Sequence, residues 1–215
     1  SYTTASITPT GNRLVILVVV NSDGTATATP TASGNGLTYV SILSQDAGDS
    51  LTRVTMFRAM GASPTAGVIT IDFAADNQNG CAWSVFEFAE VDTTGTNGSG
   101  AVVQSDGSAP SSTSCSNTLA AFGDATNNGA AYGTGIAANQ AITNEAGWTE
   151  IHDQGYATPN KAQQTQWRIG QDTSPSSSSA SNVERTCIAI EIKYAASTVA
   201  ITTLQAMTLQ GATIN

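Results

Sequence analysis

Residues Leu14 to Val20 form an unbroken apolar run, Leu-Val-Ile-Leu-Val-Val-Val, rich in β-branched side chains. Branching at Cβ favours the pleated backbone over the helix. The run has the length of a strand and is too short to cross a bilayer as a helix. A strand with one wet face alternates apolar and polar residues. This one does not, so it is expected at the centre of a sheet with cover on both faces. It stops at Asn21-Ser22-Asp23-Gly24, a turn cluster whose Asp-Gly step accepts positive φ.

The rest of the composition leads the same way. Ser and Thr supply about a quarter of the chain, and only 11% of residues are charged. Helices normally carry Glu, Lys, Arg and Gln on their wet faces, so this chain is poorly equipped to make them. Val68 to Phe73 alternates, with Ile69, Ile71 and Phe73 on one face and Thr70 and Asp72 on the other. In Ala82 to Val91, Phe86 and Phe88 oppose Val85, Glu87 and Ala89; near the end, Ile188, Ile190 and Ile192 oppose Ala189 and Glu191. These are strand patterns. Thr25 to Thr29, Leu37 to Leu43, Leu51 to Met60, Leu119 to Phe122, Ala131 to Ala137, Trp148 to Ile151 and Gln163 to Ile169 read as further strands. Thr94 to Ser116 reads as loop or weak edge strand, and Ser174 to Ser181 as a serine-dense turn or mobile loop. Ten to twelve short strands without a fixed repeat predict an all-β, antiparallel two-sheet sandwich, jelly-roll-like. One domain is expected over 1–195, followed by a C-terminal arm or extra strand over 196–215.

The net charge of −9, with Lys161 and Lys193 as the two lysines, argues against nucleic acid and anionic membrane surfaces as partners. No basic segment with an apolar core opens the chain, so no signal peptide is expected. Three cysteines, Cys81, Cys115 and Cys187, allow at most one internal disulfide. Cys81 and Cys187 lie in apolar runs and read as small buried hydrophobes. With no Cys-x-x-Cys pair and one histidine, no metal site is expected.

Few residues suggest chemistry. His152 and Asp153 are neighbours on a strand and point to opposite faces, so they do not make a dyad. Glu87 and Glu191 sit between large apolar neighbours. An acid/base couple of the glycosidase kind is one reading; the solvent face of an antiparallel sheet is the favoured one. Asp72, Asp76, Asn77 and Asn79 surround a turn and read as turn residues before a Ca²⁺ loop. Asn97-Gly98-Ser99 matches a glycosylation acceptor in form. Trp83, Trp148 and Trp167 read as core or inter-sheet packing. No catalytic residue, cofactor or metal ligand is assigned.

Several segments, in order, resemble a β-sandwich family common among bacteriophage structural proteins. They begin with Thr8-Pro9-Thr10-Gly11-Asn12-Arg13-Leu14, Gly36-Leu37-Thr38 and Phe86-Glu87-Phe88-Ala89-Glu90-Val91-Asp92. Gly147-Trp148-Thr149-Glu150-Ile151, Gln164-Thr165-Gln166-Trp167-Arg168 and Ala189-Ile190-Glu191-Ile192 follow, so the likeness spans about residues 2 to 194. The resemblance implies virion-associated or secreted structural modules rather than enzymes, and does not fix a location on the particle. The role expected here is a non-enzymatic structural component at the virion surface: a capsid decoration or cement protein, or part of a tail or fibre. Expected partners are other copies of the chain and a major capsid or tail protein. The apolar tail, with Val199, Ile201, Leu204, Met207 and Leu209, is the expected docking arm. The alternative is a carbohydrate- or receptor-binding module of a tail fibre or secreted protein. Trp148, Tyr156 and Trp167, with Tyr132, would then form an exposed row of stacking rings.

Overall fold

Strand β2 (Leu14–Ser22) is buried along its whole length, and the architecture is organised around it. In the computed structural model, which describes residues 1–74 and 76–195, β2 lies between β6 (Thr52–Ala59) and β8 (Gly80–Phe88), with β5 (Val40–Asp46) beyond β6. The pairing is antiparallel and in continuous register, from Leu14 opposite Phe88 to Ser22 opposite Gly80. Because side chains alternate across the pleat, the apolar run splits into two sets. Val15, Leu17 and Val19 enter one core with Phe57, Trp83 and Val85; Leu14, Ile16, Val18 and Val20 enter another with Met56, Phe86 and Phe88.

A different sheet closes each core. The first is closed by β1 (Tyr2–Thr3), β3 (Thr31–Gly34), β4 (Leu37–Thr38) and β7 (Ile69–Asp72), ordered β1-β7-β3-β4, through Tyr2, Ile69 and Ile71. The second is closed by a seven-stranded sheet built on β11 (Gly129–Ile136), β13 (Thr149–Tyr156), β14 (Lys161–Ile169) and β15 (Ser176–Ile192), through Ala131, Ile188, Ile190 and Ile192. Its remaining members, β9 (Val102–Ser108), β10 (Ser111–Ser116) and β12 (Ile142–Asn144), all pair with β15. The described residues are all-β and antiparallel, a sandwich in which the sheet β5-β6-β2-β8 has a layer on each side.

The seven-stranded sheet packs closely on β2. A Cβ on Gly133 would lie 2.6 Å from Val18 Cγ1, and one on Gly135 2.7 Å from Val20 Cγ1. Side chains on β11 at these positions would push the two sheets apart.

β15 carries the main departure from expectation. Ser174 to Ser181 was expected as turn or mobile loop, yet Ser176 onward is the first half of this strand, laddered to β10 and β12. Main-chain hydrogen bonds need no apolar side chains, so a serine-rich strand is held by its neighbours. Between Ser112 and Ser114 of β10 the partner on β15 moves from Val183 to Ser178. That bulge lets β15 leave the small β10–β12 flap and enter the main sheet. The flap and the segment 117–128 cover the outer face of the sheet, burying Leu119, Phe122, Tyr132 and Trp148 with the Cys115–Cys187 disulfide.

Two expected strands are irregular. Thr25–Thr29 is held through Thr27, whose hydroxyl donates to Asp46 Oδ1, and Pro30 offers no N–H to a ladder. Leu119–Phe122 is tied by side chains instead: Ala120 N donates to Gln104 Oε1 and Phe122 N to Gln171 Oε1. Leu37–Leu43 divides at Tyr39, and Thr94–Ser116 yields β9 and β10.

Candidate functional site

The two carboxylates singled out in the sequence do not meet. Glu87 is on β8 of the central sheet and Glu191 on β15 of the outer one. Neither faces solvent, a correction to the favoured expectation: they are 2% and 1% exposed, because both faces of both sheets are covered. Glu87 accepts from Thr10 N at 2.9 Å, Thr10 Oγ1 at 2.8 Å and Arg13 Nη1 at 2.9 Å. Glu191 accepts from Gln104 Nε2 at 2.7 Å, Asn128 Nδ2 at 2.6 Å and Gly123 N at 3.3 Å. Each is a buried clamp on an incoming loop, with its oxygens occupied by donors.

The aromatic residues named for ligand stacking are also internal. Trp148 is buried, edge-on to Tyr132, and its Nε1 donates to Asp172 Oδ2 at 3.0 Å. Tyr132 is fully buried, and its hydroxyl donates to Cys115 O at 2.9 Å. Trp167 and Tyr156 are half-buried against the core beneath the outer sheet, Trp167 edge-on to Phe88. The four rings serve packing and form no exposed row.

His152 and Asp153 face opposite ways, as expected: His152 pairs with Thr165 and Asp153 with Gln164. Burial holds the His152 imidazole below its ordinary pKa and raises the Asp153 carboxyl. In the turn after Asp72, Asp76 N donates to Phe73 O at 3.1 Å. Gln78 reaches inward and its Oε1 accepts from Asn21 Nδ2 at 2.6 Å. Among the described residues, no group of three or more His, Cys, Asp or Glu gathers in a metal-binding arrangement. Asn97-Gly98 makes a tight turn with both residues at positive φ. Cys81 is a buried free thiol, as expected, whereas Cys187 is bonded to Cys115 rather than a simple core filler. Val199, Ile201, Leu204, Met207 and Leu209 lie outside the described residues.

The structure brings together a set of residues that sequence reasoning missed. On the outer face of the seven-stranded sheet, Thr134 lies directly across from Gln164 on one side and Cys187 on the other. Arg185, two residues before Cys187, shares that face and sits opposite Ile136. The flap roofs this ground, with Ser179 of β15 paired to Ile142 of β12. Ile136, Ile142 and Ala162, with Val183, make an apolar rim. Inside it Arg185 and Gln164 are both 0% exposed. Arg185 Nη2 donates to Ser179 Oγ, which also receives Gln140 Nε2 at 3.3 Å. Arg185 Nε and Nη1 and both amide atoms of Gln164 have no partner. An arginine in Glu-Arg-Thr-Cys reads as the wet end of a strand. Only the fold-back of β15 over its own sheet buries it, and no local pattern signals that.

No protein-family model matches this chain, and no curated protein sequence matches it.

Proposed function

We propose that this chain is a non-enzymatic structural component of a bacteriophage particle, a surface decoration or cement protein or a tail-associated subunit. It acts by contacts with other copies and with a major capsid or tail protein. The observation that carries the reading is the use made of the buried carboxylates: Glu87 and Glu191, the best candidates for chemistry, are saturated by backbone and side-chain donors that lock loops in place. Three stacked layers and a buried disulfide add to a domain built to hold its shape. The segment resemblance supports the phage assignment, and the apolar segment 196–215 supplies the docking arm.

Light scattering on the full chain over a concentration series tests the proposal. A defined oligomer or a growing polymer is expected. The chain ending at Ala195, which retains all fifteen strands of the described residues, is expected to stay folded and monomeric. Equal assembly by both chains would refute the arm, and a full chain that is monomeric throughout and inert toward its particle would refute the structural role. The alternative, a carbohydrate- or receptor-binding module, draws no support from Trp148, Tyr156 or Trp167, whose rings are engaged in packing.

A further inference from the structure

The flap over the outer face is fastened at both ends and loosely held between them. At its root Cys115 is bonded to Cys187, Gln166 Nε2 donates to Ser176 O at 2.6 Å, and Ser177 Oγ is hydrogen-bonded to the Tyr132 hydroxyl at 3.0 Å. Leu119, Phe122 and Trp148 pack around that end. At the far end the main chain is pinned again, with Ala137 N donating to Glu184 O at 2.8 Å and Arg185 N to Pro110 O at 3.2 Å. Between these points β15 runs from Ser178 to Val183 through an exposed stretch, Ala180 to Asn182. β12 lies alongside, Ile142 opposite Ser179 and Thr143 opposite Ser178. It is bracketed in the same way, by Asn139 N on Asn160 Oδ1 at 2.7 Å and by Glu145 N on Gln166 Oε1 at 3.0 Å.

Little holds this middle section to the sheet. Its apolar contact is the small cluster of Ile142 and Val183 with Ile136 and Ala162. Two side chains of the sheet reach it: Asp153 Oδ2 accepts from Ile142 N at 3.1 Å, and Arg185 Nη2 donates to Ser179 Oγ. Beneath it five buried polar atoms have no partner among the described residues: Arg185 Nε and Nη1, both amide atoms of Gln164, and Asp153 Oδ1. Asp153 and Gln164 stand directly opposite each other, with Thr134 next in the row. Donors and acceptors are both present in this strip, yet none pairs with another. Buried polar atoms without partners cost free energy whatever their sign. Lifting the middle of the flap gives up one small apolar contact and lets water reach a carboxylate, an amide and a guanidinium. β2 has no comparable compensation, because its cover is apolar on both faces.

We propose that β12 and Ser178–Val183 form a lid that opens as a unit in the native protein, hinged at its two fastened ends, while the rest of the seven-stranded sheet stays laddered. This inference does not depend on the proposed function.

Amide hydrogen exchange on the full chain, with its disulfide intact and read residue by residue by NMR, tests the lid. The probe is the Ile142 amide, which is buried and bonded to Asp153, so it exchanges when the lid lifts. The amides of β2 report global unfolding. After correction for intrinsic rates, Ile142 is expected to exchange about tenfold or more faster than the β2 amides. Its exchange should depend only weakly on added urea, because lifting the lid uncovers little surface. Gln164→Met replaces the unpaired amide with an apolar group of similar size, so the lid should close more tightly and Ile142 should exchange severalfold more slowly than in the wild type. Exchange of Ile142 at the rate of the β2 amides, with the same urea dependence, would overturn the lid and make the flap part of the rigid core. Unchanged or faster exchange in Gln164→Met would also overturn it, since the unpaired amide would then not be what loosens the flap. The wild-type measurement decides the matter even if the variant does not fold.

Discussion

The contact between β11 and β2 can be tested by filling it. In Gly133→Ala, the new methyl would lie 2.6 Å from Val18 Cγ1, 3.4 Å from Val18 Cγ2 and 3.6 Å from Met56 Cε. The first distance is far inside van der Waals contact, and the obstacle sits on a fully buried strand paired on both sides. Overpacking of this kind costs about 1–3 kcal/mol. The smaller conformational entropy of the unfolded alanine chain returns about 0.4–1 kcal/mol. The net expectation is a loss of about 1–2 kcal/mol, or a fall of about 2–8 °C in melting temperature. Val18→Ala alone removes two buried methyl groups and leaves a cavity, at a cost of about 2–3 kcal/mol. In the double variant the alanine methyl at 133 moves into the space left at 18, so the loss should be about 1–2 kcal/mol rather than the sum. Urea titrations followed by tryptophan fluorescence give the four stabilities of the cycle. Additivity within about 0.5 kcal/mol would mean that residues 18 and 133 do not touch, and the stacking of the outer sheet on β2 would be refuted.

Other outcomes follow from the described contacts. Glu191→Gln places an amide among Gln104, Asn128 and Gly123 donors; a loss of about 1–3 kcal/mol is expected in the same titration, and no loss would refute the clamp. The Cys115–Cys187 bond spans 72 residues, so Cys115→Ser with Cys187→Ser should cost about 4 kcal/mol in chain entropy. Thiol counting in urea should find one reactive cysteine before reduction and three after; three at the outset would exclude the bond. His152 has its pKa lowered by burial, so the unfolded chain binds its proton more readily. Stability should therefore fall as the pH drops below the ordinary imidazole pKa of about 6.5. His152→Gln should flatten that part of the profile, and an unchanged profile would place the imidazole in water.

The chain's patterning revealed faces better than it revealed layers. The alternation in Val68–Phe73 gave the correct inward residues, Ile69, Ile71 and Phe73, because period-two burial is a local property of a strand, whereas Ala82–Val91 alternates in sequence but is buried on both faces. Leu14–Val20 correctly signalled cover on both sides. Glu87 and Glu191 were misread because a charged residue opposite an apolar face ordinarily means solvent, and only long-range donors such as Arg13 and Asn128 make burial tolerable. The same limit hid Arg185 and Gln164. The serine-rich start of β15 was misjudged for another reason: its pairing is set by the neighbouring strands, not by its own side chains.

The seventeen-residue β15 is laddered along both of its edges, to β10 and β12 at its start and to β9 and β11 beyond the bulge. A tensile load entering the chain after Ile192 and directed along this strand would meet those hydrogen bonds in shear, many at once, rather than peel them singly. The Cys115–Cys187 bond lies in the load path, anchoring the second half of β15 to β10 covalently. Rupture from that end would therefore be abrupt and would release only the few residues after Cys187 before the tension reached the disulfide. A subunit tethered to its neighbours through the segment after Ala195 would behave as a stiff link under strain.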